Sequence, residues 1–259
     1  MKNNNKFRLD VWGAITLGTI ALYALFLLYP MAYLIRQSVL DPDTGGFTLA
    51  YFTKFFSKSY YFDTLINSFK VSITATVLSI AIGTPLAYLF TIFKIKGKSV
   101  LNILIVVASM SAPFIGAYSW ILLLGRSGVI TTFFKNLGIA IPDIYGFGGI
   151  VLVMTLQLFP LVFLYAKGAL KNIDNSLIEA AENLGCSGIV CFFKVVVPLI
   201  MPTLLAAALL VFMRSFADFG TPMLIGEGYR TFPVVLYTEF INEVGGSDGF
   251  AAAIAVIAI

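Results

Sequence analysis

The sequence contains no histidine, only two cysteines (Cys186 and Cys191) and few charged residues, which make up 12% of its 259 positions. Two cysteines are too few for a disulfide framework or a structural zinc site. Without histidine, the chain also lacks the common ligand of an intramembrane zinc protease and the usual carrier of a proton relay. These absences argue against a disulfide framework, a structural zinc site, an intramembrane zinc protease and a histidine-based proton relay.

Hydrophobic residues account for 59% of the chain. An ordinary soluble domain has about a quarter charged residues, and a soluble fold of this size could not hide so much apolar surface. The net charge of +4 is carried by short basic clusters between apolar runs. This distribution is typical of membrane-protein loops and unlike a nucleic-acid-binding patch. The composition therefore predicts a protein that lies in membrane lipid and binds no nucleic acid.

Uncharged runs divide the chain into candidate membrane spans. Five are complete, at residues 11–35, 71–93, 99–125, 144–166 and 195–213, and a sixth occupies residues 249–259. Each complete run approaches or exceeds the roughly 20 residues that a helix needs to cross the hydrocarbon core, where an open sheet would leave backbone groups unpaired. We predict an all-α polytopic bundle of about six transmembrane helices, forming one domain over residues 1–259. We expect the natural chain to continue beyond Ile259, because the last run is short.

Basic residues predict the orientation of these spans. They lie before the first run, between the second and third, and between the fourth and fifth: Lys2, Lys6 and Arg8; Lys94, Lys96 and Lys98; Lys167, Lys171 and Lys194. The positive-inside rule places these three segments in the cytoplasm, whereas the alternate connections are acidic or mixed. The N-terminus is therefore expected to be cytoplasmic.

The connection at residues 171–198, named here the Glu179 loop, carries a spaced motif. Ser176 followed three residues later by Glu179 predicts a capping box, and Gly185 fits a helix stop. Between them, Leu177, Ala181 and Leu184 share one helical face. We therefore expect a short folded helix in this loop.

The Glu179 loop resembles a loop of type I ATP-binding-cassette importer permeases, which reads Glu-Ala-Ala, three residues, Gly, nine residues, Ile, one residue, Leu-Pro. The positions in register are Glu179, Ala180, Ala181, Gly185, Val195, Val197 and Pro198, with valine in place of Ile and Leu. Residues 67–88 also resemble the second span of that family, with small residues at Ser72, Ala75, Ser79 and Gly83 that allow close helix packing. Glu179 and Gly185, taken singly, each also have a purely structural interpretation. Glu179 would then be only a capping residue, and Gly185 only a helix stop.

The resemblance implies a non-catalytic permease subunit in a bacterial inner membrane. In that family the matching loop, here Glu179, Ala180, Ala181, Gly185 and Pro198, docks on a cytoplasmic ATPase dimer. The implied partners are that ATPase, a second permease domain and a periplasmic or extracellular substrate-binding protein. No cofactor is expected on this chain, since Gly97-Lys98-Ser99 has Ile92 where a phosphate-binding loop needs glycine. ATP would bind the partner subunit.

Two further segments, residues 111–131 and 215–240, resemble the N-terminal half of ferric-iron importer permeases. The resemblance thus implies ferric iron as substrate, with aminoethylphosphonate, thiamine and polyamines as alternatives, because related permeases share the pattern. Ferric iron prefers oxygen ligands, yet the complete spans contain no carboxylate. We therefore predict no metal site here and expect specificity to lie in the binding protein.

Arg214 and Asp218 stand near the outer end of the fifth run, where charge is costly. Their spacing of four would let them pair on one helix face. Two interpretations remain open: they line the outer gate or pathway, or they form an ion pair that orients the outer loop. Glu227, Tyr229 and Glu239 lie further out and are candidates to meet the binding protein.

An ion-coupled secondary transporter is the alternative from a different class. Such a protein would be expected to bury coupling carboxylates near the membrane centre, and the complete runs lack them. A membrane-embedded enzyme would need a cluster of catalytic side chains, which the runs do not contain.

Overall fold

The computed structural model describes residues 11–41, 44–93, 96–110, 112–139, 142–241 and 248–259. Within these ranges the regular structure is helical, apart from an isolated antiparallel bridge between Leu40 and Phe47. The predicted all-α class is confirmed. The orientation argument also used residues that lie outside the described ranges: Lys2, Lys6, Arg8 and Lys94.

Twelve helices follow one another in the described ranges. They are α1 Val11–Ser38, α2 Ala50–Ser57, α3 Ser59–Ile92, α4 Lys98–Ser109, α5 Pro113–Leu124, α6 Val129–Asn136, α7 Phe147–Lys171, α8 Asn175–Asn183, α9 Gly188–Phe216, α10 Gly220–Ile225, α11 Phe232–Ile241 and α12 Asp248–Ala258. Five segments are long and apolar enough to span a membrane: α1, α3, α5 with α6 (Pro113–Asn136), α7 and α9. These sequences form helices because lipid leaves their backbone groups no other partner.

The third apolar run, residues 99–125, does not form one span, and this prediction is wrong. The run divides into α4, which ends at Ser109, and α5, which begins at Pro113. Ala112 has an extended backbone (φ −66°, ψ 141°), as a residue preceding proline prefers. Pro113 occupies the first turn of α5, where its missing N–H removes no helical hydrogen bond.

Two spanning helices contain a π-helical turn just before a proline. The turn Ala24–Leu28 in α1 precedes Pro30, and the turn Phe192–Val196 in α9 precedes Pro198. Proline lacks an N–H and its ring collides with the carbonyl four residues earlier. Wider hydrogen-bonded turns at these points keep the helices continuous.

The chain divides into two compact units, Met1–Phe62 with Leu236–Ile259, and Asp63–Val235. In the first unit α12 packs on α1 and α2. Phe55, Ala253 and Ile254 are fully buried there, and the Tyr61 ring meets the Phe250 ring edge-on with centroids 5.0 Å apart. Aromatic and small side chains thus form the core of this unit.

The second unit contains the close packing of α3 against α7. Gly83 lies on α3 where an added Cβ would come 2.8 Å from the Cβ of Val162 and 2.9 Å from the carbonyl oxygen of Phe159. Ser72, Ala75 and Ser79 on the same helix are fully buried. The prediction that small residues permit close approach along α3 is therefore confirmed.

Candidate functional site

Helix α8 is the short helix predicted in the Glu179 loop, but its N-cap is Asp174 rather than Ser176. The Asp174 Oδ1 accepts a hydrogen bond from the backbone N–H of Ser176 at 3.0 Å. Hydrogen bonds from the N–H and hydroxyl of Ser176 hold the pKa of Asp174 below its ordinary value. The charged carboxylate suits the positive end of the helix dipole, and it takes the capping position because α8 begins at Asn175.

The C-terminal end of α8 confirms the predicted helix stop at Gly185. This glycine has φ +84°, a left-handed conformation. The N–H of Cys186 donates to the carbonyl oxygen of Ala181 at 3.0 Å, and the N–H of Leu184 donates to that of Ala180 at 3.2 Å. The Leu184 bond is the last regular helical bond, and the Cys186 bond is the outer bond of a Schellman motif, in which glycine avoids the clash of a Cβ with its own backbone.

Helix α8 has one side that packs and one side that is exposed. Ile178 packs against the core cluster that contains Leu170 and Phe192. Ala181 is half-buried, whereas Glu179 and Ala180 are exposed. Glu179 makes no ion pair with any residue that the structure describes. The motif residues at the start of the loop are therefore accessible while the helix itself is anchored.

The Glu179 loop also exposes apolar side chains. Leu177 is 50% exposed, Leu184 89% and Ile189 77%. An accessible apolar group of this kind, bordered by polar residues, is typical of a protein contact surface. Pro198 lies elsewhere, in the spanning helix α9, so the spaced motif joins a surface helix to a membrane helix.

Arg214 and Asp218 do not form the ion pair that their spacing allowed. Helix α9 ends at Phe216, so Asp218 has left the helix. Its carboxylate accepts hydrogen bonds from the hydroxyl of Thr221 at 2.7 Å and from the N–H of Thr221 at 3.3 Å. Burial raises the pKa of Asp218, and the hydrogen bonds from Thr221 oppose this effect. The ion pairs found in the described ranges both involve Arg126.

Both residues instead line a cavity of about 480 Å³. Its other lining residues come from α4, α5, α7, the connection after α9 and the start of α10: Ser109, Pro113, Phe114, Gln157, Leu158, Ala217, Phe219 and Gly220. The Gln157 Nε2 is buried and has no hydrogen-bond partner among the described residues. The cavity has the size of a small-ligand site, with a cation, a carboxylate and an amide at its wall. We missed Gln157 in the sequence, where a glutamine within an apolar run was the only signal.

The three residues expected near the binding protein have different environments. Glu227 accepts from Arg126 with Nη2 and Oε1 2.8 Å apart, and Arg126 also contacts Asp143 at 3.1 Å. Glu239 accepts from the Tyr61 hydroxyl at 3.2 Å. Tyr229 is half-buried, and burial raises the pKa of its hydroxyl. Across the described ranges, no three acidic or cysteine side chains come together as a metal site.

Comparisons with known proteins agree with this architecture. The model of the family described as binding-protein-dependent transport system inner membrane component matches residues 44–259. A ferric transport system permease protein of Actinobacillus pleuropneumoniae is 28% identical over 96% of this chain, which spans only 35% of that relative. A spermidine/putrescine transport system permease protein of Haemophilus influenzae is 28% identical over 97% of this chain and 89% of its own length.

A solved structure shows the same fold. A chain in the crystal structure of a bacterial alginate ABC transporter, in complex with a pentasaccharide-bound periplasmic protein, superposes with a TM-score of 0.76. The match covers 96% of this chain and 88% of the other at 16% identity. The predicted type I importer permease fold is therefore confirmed.

Proposed function

This chain belongs to the family of binding-protein-dependent transport system inner membrane components, and we propose that it carries ferric iron from a periplasmic or extracellular binding protein into the cytoplasm. It is a multi-pass inner-membrane permease of the ATP-binding-cassette importer class. In our proposal the N-terminus and the Glu179 loop are cytoplasmic, and a second permease domain completes the pathway. ATP is bound and hydrolysed by a separate ATPase dimer.

The observation that carries the coupling proposal is the geometry of the Glu179 loop. Helix α8 is capped at Asp174 and stopped at Gly185, so it is a defined element rather than a slack connection. It exposes the Glu179 carboxylate, which forms no ion pair among the described residues, and the same loop exposes Leu184 and Ile189. A partner with an apolar groove and a basic rim would match this surface. We assign that partner as the ATPase.

Transport follows from this docking by a simple cycle. ATP binding closes the ATPase dimer and draws the two docked loops together. The pathway then opens outward to receive substrate from the binding protein, and hydrolysis restores the inward-facing state. Ile178 connects α8 to the core around Leu170 and Phe192, so movement of the loop reaches the spanning helices α7 and α9.

Ferric iron is the proposed substrate, and polyamine is the second candidate. The ferric relative is matched over nearly the whole of this chain, and the polyamine relative aligns over most of both chains. Both substrates are cations. Since the described residues contain no metal cage, the pathway need only offer a low barrier after the binding protein has selected its ligand. Aminoethylphosphonate and thiamine remain further alternatives.

We also propose that the cavity at Arg214 and Asp218 is part of the outer gate or pathway. Neither charge is neutralised by the other, and Gln157 adds an unpaired amide N–H group. A polar group without a hydrogen-bond partner in a membrane-embedded wall raises the free energy of the folded protein unless water or substrate contacts it. A passing hydrated cation would supply such contacts.

Uptake into vesicles that contain the complete transporter tests the coupling role. Glu179→Arg should weaken association with the ATPase and reduce ATP-driven uptake, while membrane insertion remains intact. Asn183→Arg places the same arginine side chain at another exposed position of α8 and is the control for its bulk and positive charge, and Glu179→Gln removes the carboxylate without adding a positive charge. Wild-type association and uptake in Glu179→Arg would refute the coupling role. Uptake driven by an ion gradient without ATP would favour the secondary-transporter alternative.

Substrate identity requires a separate assay. Reconstituted vesicles with the cognate binding protein should take up ferric iron, and spermidine, aminoethylphosphonate and thiamine should fail to compete. Competition by spermidine together with spermidine uptake would replace iron by a polyamine. The ATPase-association result does not depend on which substrate is carried.

A further inference from the structure

A second cavity, of about 330 Å³, lies where α3 ends, α4 begins and α7 ends. Its lining comprises three lysines, three neutral polar residues and one aromatic residue: Lys98, Lys167, Lys171, Thr91, Ser99, Asn102 and Phe90. None of these described lining residues carries a carboxylate. The cavity thus gathers positive charge from two helices within one small space.

The lysines of this cavity are not neutralised within the part of the chain that the structure describes. The ion pairs found there both involve Arg126. The Lys167 ammonium group donates a hydrogen bond to the side-chain carbonyl of Asn102 and lies 5.3 Å from the Phe163 ring centroid. These contacts orient Lys167 without removing its charge. Lys98 and Lys167 are half-buried, so water and salt screen their mutual repulsion less than at an open surface.

The first turn of α4 adds a further positive contribution. This helix of 12 residues begins at Lys98, and its N-cap, Gly97, offers no side-chain hydrogen bond. The first N–H groups of a helix have no intrahelical partner, and the helix dipole places partial positive charge there. Lys98 and Ser99 of that turn line the cavity. Ammonium groups and a helix N-terminus together are well suited to bind an oxyanion such as phosphate.

Apolar surface adjoins this cavity. Along α4, Val100 is 62% exposed, Ile103 59% and Leu104 59%. A free phosphate ion would make no use of these side chains, whereas the acyl chains of a phospholipid would cover them. The combination of a basic cavity and an apolar helix face therefore favours a lipid over a free anion.

We propose that this cavity binds the phosphate group of an anionic phospholipid. The proposal rests on the proposed function in one respect, because that function places the end of α7 in the cytoplasmic leaflet, where basic pockets between spanning helices meet anionic headgroups. Lys171 stands three residues before the α8 cap at Asp174. The lipid therefore borders the Glu179 loop and holds the end of α7 from which that loop departs.

Native mass spectrometry of the intact transporter tests this site. The transporter is equilibrated with dioleoyl phosphatidylglycerol and with dioleoyl phosphatidylcholine, which share their acyl chains and differ in headgroup charge. The double variant Lys98→Gln/Lys171→Gln should retain about 25-fold less phosphatidylglycerol than wild type, since each basic residue at an anionic surface contributes about fivefold. Phosphatidylcholine retention should not change.

The double variant Lys96→Gln/Lys135→Gln is the matched control, because it removes the same charge from positions that do not line the cavity. Retention at the wild-type level in this control supports the site. Equal loss of phosphatidylglycerol in both double variants would reduce the effect to net charge and overturn the proposal. Wild-type retention in Lys98→Gln/Lys171→Gln would also overturn it.

Further measurements distinguish the lipid from other occupants of the cavity. They also distinguish a failed lipid site from a failed coupling role. If inorganic phosphate protects Lys98 and Lys171 from amine modification and phosphatidylglycerol does not, the lipid assignment is overturned in favour of free phosphate. If the transporter retains phosphatidylglycerol only after its ATPase subunits are removed, the cavity is an ATPase contact and the lipid assignment also falls. Glu179→Arg should leave lipid retention unchanged, so a failed coupling role and a failed lipid site give different results.

Discussion

The backbone N–H of Cys186 donates to the carbonyl oxygen of Ala181 at 3.0 Å, across the left-handed Gly185. This bond ends α8 immediately after the Glu-Ala-Ala residues of the motif. It directs the chain from the exposed helix back towards Cys191, which is buried at the start of α9. The spacing between Glu179 and Gly185 therefore has a structural purpose as well as the proposed docking role.

Gly185→Ala should destabilise the α8 stop by about 1–2 kcal/mol, the cost of a left-handed conformation for an L-residue with a Cβ. Apart from the two chain neighbours, no described residue lies within 4 Å of the added Cβ, so the cost arises from the backbone at position 185 itself. Gly185→Asn should be milder, because asparagine tolerates this conformation. Co-purification with the ATPase subunit measures the effect. Equal recovery of wild type and Gly185→Ala would contradict the importance of the stop.

Asp174→Ala should fray the start of α8 and weaken ATPase association several-fold, because the helix loses the acceptor for the Ser176 N–H. Asp174→Asn keeps an acceptor and should stay near wild type. Impairment of Asp174→Asn as severe as that of Asp174→Ala would mean that the charge, and not the cap, matters.

The ionisation of Asp174 predicts how this contribution depends on pH. Hydrogen bonds to its carboxylate lower the pKa in the folded loop, so the stabilisation is present above the unfolded pKa and is lost as pH falls through the folded pKa. The ordinary aspartate pKa is about 3.9. The difference in ATPase association between wild type and Asp174→Asn should therefore stay constant from about pH 5 to 8. A difference that varies across this range would contradict the assignment.

Gly83→Ala should destabilise the packing of α3 on α7 by about 1–3 kcal/mol, as overpacked cores generally do. The added methyl group would meet Val162 and the backbone of Phe159, which cannot shift without moving α7. Gly168→Ala is the matched control, since a Cβ there meets nothing within 4 Å on the same helix α7. Thermal unfolding in detergent compares the two variants, and equal midpoints would disprove the close approach.

Arg214→Gln and Asp218→Asn should change cation uptake in opposite directions. Removal of the positive charge lowers the barrier to a cation in the cavity, and removal of the carboxylate raises it. Each change should be a few-fold, since the wall is partly solvated and the charges do not pair. Initial uptake rates at fixed ATPase activity measure this. Loss of uptake in both single variants, with rescue in the double variant, would indicate a structural ion pair instead.

Much of the helical architecture could be read from apolar runs, because lipid imposes internal hydrogen bonding on any spanning segment. The approximate positions of α1, α3, α7, α9 and α12 follow from this constraint. Their ends do not, since polar ends such as Ser59 and Lys171 continue a helix past the last apolar residue. The division at Ala112 was missed because uncharged residues continue across it, although Pro113 was the available signal.

Side-chain partners were harder to predict than helices. Ser176 matched the capping pattern, but Asp174 is the residue whose carboxylate reaches the free N–H. Arg214 and Asp218 had helical spacing, yet the helix ends between them and Thr221 takes the carboxylate. Both predictions, the capping box at Ser176 and the pairing at a spacing of four, assumed where a helix begins or ends. In the folded chain those helices begin and end at other residues.

The composition is sufficient to predict a membrane-embedded, all-α chain, because solvation by lipid acts on the linear sequence. The register of the spaced motif is also a property of the linear chain, and its resemblance to a permease family predicts the proposed docking loop. The cavity at Arg214 and the lysine cavity at Lys98 required the folded molecule. Their walls combine side chains from α3, α4, α7 and α9, which are far apart in sequence. The packing between helices determines which of these side chains lie together, and the residue pattern along a single helix does not contain that information.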